Sequence, residues 1–508
     1  MPLLSQKRKR DTSELKLHDS KRRRVSEALI ITGVGREFDR TLPFWRCFID
    51  LRLTTGRVPE VVRRETRVLC RIPCKVFKRF DVVWARTIVN IRPVHVPTWQ
   101  ERKRLVWPSR TKGGVPVKAS PLGAPAPATQ GHETPQTAPN ADPAVHVYTI
   151  DTFHFVHEDA YKKGGDRDRS FHVQSVVFRD APHILQCVGS SMVSFSLIVY
   201  TSLRLVHECD ARKCTPHQLC RQVGELIAAC NETGPASTTE SSSKCVDNPS
   251  AAATTTQGAD KDFKIKFPTQ AREGKFVQGS NYNLNASGAA FSALVAWCPP
   301  PTVRILILGM GGNSMAYALR LVVGPDALIE VVEVEPAVVA ACIQMGTLCD
   351  TDANTKVHLQ DADKCLTSLP PSAYDFIYMD IFEPVTATMC NLHPWVLEAH
   401  RLLSPGGLLV MNEHHLPSAA NLAPYTKVFG EGNVQAVNVR GWSESIVVCV
   451  APGDAATDRH SLDVSKTHAN IAFDIYEFLV PGWLPHFSWL VKATTYRHEG
   501  VRCRLWTS

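Results

Sequence analysis

Residues 303–335 contain the pattern that most limits how this chain can fold. An apolar run at 303–308 is followed by a glycine-rich turn at 309–312, a helical stretch, and a second apolar run that ends in Glu333 and Glu335. In a βαβ unit, turn glycines let the backbone approach a ligand, and an acid at the tip of the next strand accepts hydrogen bonds from ribose hydroxyls. The pattern therefore predicts a parallel α/β unit that binds a nucleoside-type ligand.

After residue 263 the sequence alternates between strand-like and helix-like segments. Strands are predicted at 303–308, 329–334, 356–359, 374–379, 407–412, 433–438 and 445–450. Such a rhythm is typical of a doubly wound, mainly parallel sheet with helices on both faces. We therefore expect a seven-stranded Rossmann-like α/β domain over 263–450.

Length and composition narrow the classes of protein that remain. A chain of 508 residues is long enough for two or three domains. No run of about 18 uncharged apolar residues occurs, so no membrane span is predicted. Because the N-terminus lacks a secretory apolar core, we expect an intracellular protein whose 16 cysteines are reduced thiols.

Charge is divided unevenly along the chain. Residues 26–113 hold 19 Lys or Arg against eight Asp or Glu, whereas residues 263–450 hold 11 against 16. A basic front half is thus joined to an acidic α/β half. This asymmetry suggests that the front half meets a polyanion or an acidic partner.

The first 25 residues form a basic tail with two clusters, from Lys7 to Arg10 and from Lys21 to Arg24. The spacing resembles a bipartite nuclear localisation signal, which predicts a nuclear protein that binds an import receptor. A solvated tail or a nonspecific nucleic-acid arm is the alternative.

The segment 26–230 is predicted to be a β-rich N-terminal domain. A Pro/Ala-rich insertion at 112–145 interrupts it and is expected to be disordered. Strand-like runs resume at 147–150 and from Met192 to Tyr200, and a helix is expected from about Pro216. A Ser/Thr-rich linker at 231–262 follows, and an aromatic extension at 451–508 is expected to pack on the α/β domain.

Five sequence blocks resemble, in order, those of class I S-adenosylmethionine-dependent methyltransferases, specifically their spermidine-synthase-like branch. The blocks are the glycine turn at 309–312, the strand end at 332–336, the turn at 360–362, the segment 374–384 and the turn at 403–407. The resemblance covers residues 280–450. It implies a Rossmann-like methyltransferase fold and S-adenosylmethionine as cofactor.

The same resemblance implies roles for individual residues. Gly309, Gly311 and Gly312 would line the methionine and ribose part of the cofactor, and Glu333 would hold the ribose hydroxyls. The alternative for Glu333 or Glu335 is an acid that only ends a strand in solvent.

Further along, Asp361 would accept a hydrogen bond from the adenine amino group, with Ala362 beside it. Turns before helices favour Asp in any case, so Asp361 could be a polar turn residue instead.

Asp380 and Glu383 are the predicted catalytic pair. They keep the spacing of the two acids that follow the fourth strand of aminopropyltransferases, but Ile381 and Phe382 replace small hydroxyl residues. Carboxylates at this edge of a sheet can orient an amine and accept its proton. The alternative is a structural acid at 380 and a loop residue at 383.

Two further stretches bear on the reaction. Residues 280–291, where aminopropyltransferases carry acids of the polyamine pocket, contain none, which argues against polyamine synthesis and favours methyl transfer or loss of catalysis. The run Asn412, Glu413, His414, His415 after the fifth strand could supply a base or only surface groups.

Five candidate metal ligands lie within 14 residues: His207, Cys209, Cys214, His217 and Cys220. Their number suits a zinc site. However, Thr215, Pro216 and Gln218 form a helix-start pattern that would place His217 and Cys220 on a helix instead. No metal site is predicted.

The leading hypothesis is a nuclear S-adenosylmethionine-dependent methyltransferase (a transferase) that acts on a protein or RNA presented by the basic N-terminal domain. The second is a catalytically inactive scaffold subunit of a nuclear nucleic-acid-processing complex, since Asn313 and Ser314 depart from the small residues usual in the family. A spermidine synthase-like aminopropyltransferase is the third.

Overall fold

The computed structural model describes fourteen stretches and a few isolated residues of the chain. These are residues 57–95, 145–162, 171–179, 187–232, 289–324, 326–349, 352–386, 388–389, 393–413, 418–438, 445–453, 466–479, 494–498 and 501–505, together with 27, 30–32 and 34. The basic tail, residues 112–144 of the insertion and residues 233–262 of the linker lie outside the described residues, so those predictions stay predictions, while residues 231–232 form the end of a helix that begins at Pro216.

Two β-sheets organise the described residues. The N-terminal sheet is antiparallel, in the order β1-β2-β3-β4. Its strands are β1 (Arg57–Pro73), β2 (Phe80–His95), β3 (His146–His157) and β4 (Phe171–Phe178). Strands 17 and 16 residues long make β1 and β2 a long hairpin whose turn lies at 74–79.

Nine strands form the main sheet, in the order β14-β15-β12-β13-β11-β8-β5-β6-β7. The strands are β5 (Arg304–Leu308), β6 (Leu328–Glu333), β7 (Thr355–Leu359), β8 (Tyr374–Met379), β11 (Leu403–Glu413), β12 (Val434–Asn438), β13 (Ser445–Val450), β14 (Thr494–His498) and β15 (Val501–Leu505). Strands β7, β6, β5, β8 and β11 are parallel, and β13 is antiparallel to both β11 and β12. A two-stranded hairpin of β9 (Phe382–Glu383) and β10 (Thr388–Met389) follows β8.

The prediction of a mostly parallel seven-stranded sheet is confirmed. Each predicted strand begins within four residues of the observed one and ends within one. The difference lies at the edge, where β15 pairs with β12 and extends the sheet to nine strands.

Helices cover the main sheet. They are α1 (Cys187–Arg212), α2 (Pro216–Glu232), α3 (Ala289–Val295), α4 (Ser314–Val323), α5 (Pro336–Met345), α6 (Ala362–Ser368), α7 (Val396–Leu402), α8 (Ala419–Phe429) and α9 (Lys466–Leu479). Neighbouring residues of β5 point to opposite faces: Ile305 and Ile307 join one apolar core, while Leu306 and Leu308 join the other. A central parallel strand buried on both faces explains the continuous apolar runs in the sequence. None of the described helices is long and apolar enough to span a membrane.

The strand predicted from Met192 to Tyr200 is wrong, because these residues lie within α1. Periodicity cannot distinguish a short apolar run in a buried strand from one in a buried helix. Here α1 packs against β11 and β13 of the main sheet. The hydroxyl of its buried Ser196 contacts the Tyr378 hydroxyl at 2.8 Å. The helical end of the predicted N-terminal domain is therefore part of the cover of the main sheet.

The predicted start of α2 is confirmed in detail. The backbone N–H of Thr215 donates to Gln218 Oε1 at 2.7 Å, and the N–H of Gln218 donates to Thr215 Oγ1 at 3.3 Å. This reciprocal pair is a capping box.

Candidate cofactor site

A cavity of about 530 Å³ lies at the carboxyl ends of the parallel strands β5, β6 and β8. In open α/β sheets this edge is where ligands bind. The glycine turn, the ends of β6, β8 and β11, and the start of α6 form its floor and walls. Residues of the N-terminal sheet also line it, namely Val76, Phe77, Phe155, Val173, Gln174 and Ser175.

Gly309 brings the ends of β5 and β8 together. Its φ is +91°, and a β-carbon at this position would lie 2.4 Å from the carbonyl oxygen of Asp380. Only glycine satisfies both conditions without displacing the β8 end. The first glycine of the turn is therefore required for the backbone path that creates the cavity.

The other two glycines face the N-terminal sheet. A β-carbon on Gly311 would lie 2.8 Å from Ser175 Oγ, and one on Gly312 would lie 2.8 Å from Ser175 Cβ. The N–H of Gly312 donates to Ser175 Oγ at 2.8 Å. Gly309 and Gly311 line the cavity, whereas Gly312 is packed beneath β4 and does not, and the predicted cofactor contacts of the turn stay a prediction. Ser175, which the sequence did not point to, fills that space.

Glu333 lies at the cavity with only 9% of its surface exposed. One carboxylate oxygen accepts from the N–H of Met310 at 3.1 Å, and the other accepts from the N–H of Glu335 at 2.8 Å. Burial raises the pKa of Glu333 to about 7. The alternative of a strand-end acid in solvent is wrong, and the predicted ribose contact of Glu333 stays a prediction.

Glu335 is fully buried and joins the two sheets. Its carboxylate accepts from the backbone N–H groups of Lys75, Val76 and Phe77 at 3.0, 2.7 and 3.2 Å, all in the β1–β2 turn. It also accepts from the N–H of Ala337 at 3.0 Å as the N-cap of α5. The sequence signal, an acid directly before Pro336, indicates the cap. It contains nothing about a turn some 260 residues away.

Asp361 is the turn residue before α6 that the sequence offered as one alternative, and it also lies at the cavity. It is the N-cap of α6, where Oδ1 accepts from the N–H of Asp363 at 2.9 Å, and it also lines the cavity beside Gln360 and Ala362. The side chain is exposed, so a ligand can reach it. The predicted adenine contact is compatible with this position and stays a prediction.

Asp380 follows β8 and faces the cavity together with Asn412 from the end of β11. Asn412 Nδ2 donates to Asp380 Oδ1 at 3.0 Å. Asn412 is only 7% exposed, and its Oδ1 has no hydrogen-bond partner among the described residues. An unpaired buried carbonyl oxygen is costly, and an N–H or O–H donor from a ligand or a water would satisfy it.

Glu383 lies on the β9–β10 hairpin at the rim of the same cavity. Its Oε1 accepts from the N–H of Val385 at 3.1 Å, so a turn fixes its orientation. Asp380 and Glu383 thus line one cavity, and their role as a catalytic pair stays a prediction.

The charged side chains that line this cavity, within the described residues, are all acidic: Glu333, Asp361, Asp380 and Glu383. Aromatic rings from three separate elements, Phe77, Phe382 and Trp395, add flat apolar walls. Acids and aromatic rings together favour a ligand that is cationic or bears amino groups.

Several predicted residues lie elsewhere. Residues 280–288 and the pair His414 and His415 lie outside the described residues, and Glu413 accepts a hydrogen bond from the Tyr425 hydroxyl. No group of three or more potential ligands is arranged for a metal in the described part of the chain. Cys209 Sγ contacts His468 Nε2 at 3.7 Å, a partner on α9 that the five clustered residues did not suggest.

Comparison with known proteins gives one sequence relative. No family model matches the chain. A segment of 138 residues is 33% identical to the polyamine aminopropyltransferase of Vibrio vulnificus, over 26% of this chain and 45% of that protein. The chain therefore spans about half the length of the curated relative that it matches. This match confirms the resemblance to the spermidine-synthase-like branch.

Solved structures show likeness at lower identity. Human methyltransferase-like protein 13 in complex with SAH is 19% identical, with a TM-score of 0.29 over 36% of this chain and 84% of that one. A probable spermidine synthase from Corynebacterium glutamicum is 20% identical, with a TM-score of 0.28 over 40% and 74%. Fibrillarin from Aeropyrum pernix is 20% identical, with a TM-score of 0.24 over 29% and 66%.

Proposed function

We propose that this chain transfers an alkyl group from an adenosyl sulfonium cofactor to an amine nitrogen. The donor is S-adenosylmethionine, and the transferred group is its methyl group. The observation that supports this most directly is the pair Asp380 and Asn412. It places a carboxylate and an unpaired buried carbonyl oxygen in the cavity that also contains the glycine turn and Glu333. Two acceptors side by side suit the N–H groups of an amine.

The residues present fit such a donor. The buried carboxylate of Glu333 would accept hydrogen bonds from the ribose hydroxyls, and the carboxylate of Asp361 would accept a hydrogen bond from the adenine amino group. Gly309 and Gly311 line the cavity, so the backbone of the turn would contact a donor bound there. When bound, the sulfonium supplies an electrophilic carbon that needs no further activation.

The protein must then align the acceptor amine with the donor carbon and remove a proton from the amine. An amine that donates to Asp380 and Asn412 Oδ1 has its lone pair free to face the donor carbon, at about 3–3.5 Å in a productive geometry. As the C–N bond forms and the C–S bond breaks, the amine loses a proton, which Asp380 accepts and passes to water. Asn412 holds the Asp380 carboxylate in place at 3.0 Å and so acts as a positioning residue.

Aminopropyl transfer is the second candidate, because one structural observation favours it. The described cavity lining has four acids and no Lys or Arg that would neutralise the carboxylate of S-adenosylmethionine. A decarboxylated donor requires no such partner. The 33% identical aminopropyltransferase supports the same reading over its 138 residues. Against it stand the bulky Ile381 and Phe382 at the position of small residues in that branch.

Calorimetric titration of the full chain with S-adenosylmethionine, S-adenosylhomocysteine and the decarboxylated donor tests the donor. Tight binding of the first two supports methyl transfer, and preference for the decarboxylated form supports aminopropyl transfer. If none of the three binds, both enzymatic proposals are wrong and the inactive scaffold becomes the better description.

We also propose a nuclear location and a protein or RNA acceptor. The basic tail supports the first, through the clusters at Lys7 to Arg10 and Lys21 to Arg24, and the basic composition of residues 26–113 supports the second. Replacing the four residues of either cluster by Ala in a fluorescent fusion should move the protein out of the nucleus. An unchanged distribution would contradict the import proposal.

A further inference from the structure

The β1–β2 hairpin is a strongly basic ribbon. Residues 57–95 contain ten Lys or Arg and three Asp or Glu, and β1 is the outer strand of its sheet. At about 3.4 Å per residue, the ten steps from Arg63 to Pro73 cover about 34 Å. The ribbon therefore presents a long track of positive charge.

Several of these cations are exposed and lack a partner for their charge. Arg67, Lys75 and Lys78 are exposed, and no ion pair is recorded for any of them in the described residues. By contrast, Arg71 pairs with Asp81, and Arg79 pairs with two acids that follow β3. Arg67 lies directly opposite Arg86 on β2, but Arg86 pairs with the buried Asp151 at 2.7 Å, so of these two cations Arg67 is the one that offers its charge to a ligand.

The track ends at the cavity. The turn that contains Lys75 and Lys78 also contains Val76 and Phe77, which line the cavity wall. Glu335 fixes that turn through three backbone hydrogen bonds. A polymer bound along β1 is thus led to the cavity mouth by a rigid element.

The acidic cavity and the basic ribbon together indicate which kind of polymer can bind. Four acids in the cavity exclude phosphate, whereas the ribbon attracts it. A nucleic acid satisfies both conditions, because its phosphates can stay outside while a neutral base enters between Phe77, Phe382 and Trp395. An exocyclic base amine would then meet Asp380 and Asn412. An acidic protein satisfies the ribbon but offers the aromatic walls no comparable flat group.

We propose that the β1–β2 ribbon is a docking surface for single-stranded RNA, which lays its phosphates along the exposed cations while one base enters the cavity. RNA presents unpaired bases in loops and ends, so no duplex must be opened. The inference deepens the proposed function, since it names the class of the acceptor. Its test is a binding measurement without any donor, so failure of docking and failure of alkyl transfer are distinguishable.

The experiment compares two triple variants of the full chain by fluorescence anisotropy with a short single-stranded RNA. The ribbon variant is Arg67→Gln, Lys75→Gln, Lys78→Gln, and the control, with the same loss of charge, is Lys213→Gln, Arg221→Gln, Lys427→Gln at exposed positions elsewhere. Each phosphate contact adds about 0.7 to the slope of log affinity against log salt for single strands. Three lost contacts should lower the slope by about 2, which corresponds to roughly 100-fold weaker binding near 0.1 M salt.

The control variant should bind RNA like the unmodified chain. Equal loss in both variants, or an unchanged slope in the ribbon variant, would overturn the proposal, because binding would then reflect net charge or the basic tail. If the full chain shows no measurable affinity for RNA but binds poly-glutamate through the ribbon, the ribbon is a docking surface for an acidic protein instead. Equal affinity for single-stranded DNA of the same sequence would overturn the restriction to RNA.

Discussion

Replacing Glu335 by Gln is the change that most directly tests how the two sheets are joined. In the carboxylate, Oε1 accepts from the N–H groups of Lys75 and Ala337, and Oε2 accepts from those of Val76 and Phe77. Gln keeps the size of the side chain but replaces one oxygen by an NH₂ group. Two buried N–H donors then face another donor in place of an acceptor.

The cost follows from these contacts. Hydrogen bonds to a charged acceptor contribute about 1.5–3 kcal/mol each, and leaving a buried donor without an acceptor adds to the loss. Two lost bonds therefore amount to about 3–6 kcal/mol, against a total stability of about 5–15 kcal/mol for a typical domain. Since about 1 kcal/mol shifts the Tm of a domain of this size by about 2–4 °C, we expect a decrease of roughly 6–24 °C.

Thermal unfolding of the purified chain measures this decrease, with Glu398→Gln as the matched control. Glu398 pairs with Arg401 at 2.8 Å on the surface of α7, with 31% of its side chain exposed. A partly exposed pair on the protein surface contributes about 1 kcal/mol, so the control should shift the Tm by no more than about 4 °C. A decrease for Glu335→Gln no larger than that of the control would refute the view that this carboxylate fixes the β1–β2 turn.

Three further predictions concern the cavity. Gly309→Ala should abolish binding of the adenosyl donor in calorimetry, because its β-carbon would lie 2.4 Å from the Asp380 carbonyl oxygen. Gly224→Ala on the open surface of α2 should leave binding unchanged. Asp380→Asn should lower kcat by about 10²–10⁴-fold with donor affinity retained if Asp380 accepts the amine proton, and a change of less than tenfold would argue against that role. Because the folded-state pKa of Glu333, about 7, lies above the usual 4.5, Glu333 stays protonated to a higher pH in the folded chain than in the unfolded chain. Stability should therefore fall by on the order of 3 kcal/mol as pH rises from about 4.5 to about 7 and then level off. Chemical denaturation across this range should show the fall in the unmodified chain and not in Glu333→Gln, and parallel curves would contradict the assignment.

The sequence predicted the main sheet well because each of its signals is local. An apolar run such as 303–308 needs cover on both faces, and the glycine turn at 309–312 marks where that strand ends. The turn predicted at 403–407 is wrong, because β11 already begins at Leu403 and these residues form an irregular start of the strand. Predictions based on local chemistry also held at the start of α2, where Thr215 and Gln218 form the expected reciprocal pair.

Predictions were weaker where long-range packing decides. Residues Met192 to Tyr200 are apolar except for Ser194 and Ser196, and those two are buried as well, so nothing in their order distinguishes a buried strand from the buried helix that they form. In the same way, Gly312 has the expected residue type, but its hydrogen-bond partner is Ser175, which is 137 residues earlier in the chain. The hydrogen bonds of Ser175 to the glycine turn and of Glu335 to the β1–β2 turn could not be predicted from the sequence, because each depends on how the N-terminal sheet packs against the main sheet.

That meeting gives the N-terminal sheet a direct part in the chemistry of the cavity. The β1–β2 turn alternates between the two tasks: Lys75 and Lys78 extend outward as part of the basic ribbon, while Val76 and Phe77 line the cavity. Because Glu335 holds this turn by its backbone, side-chain changes at Lys75 or Lys78 leave the wall in place, whereas loss of the Glu335 carboxylate releases the ribbon and the wall together. The ribbon variant, in which Arg67, Lys75 and Lys78 are replaced by Gln, should therefore lose affinity for RNA and keep its affinity for the donor. Glu335→Gln should weaken the binding of both.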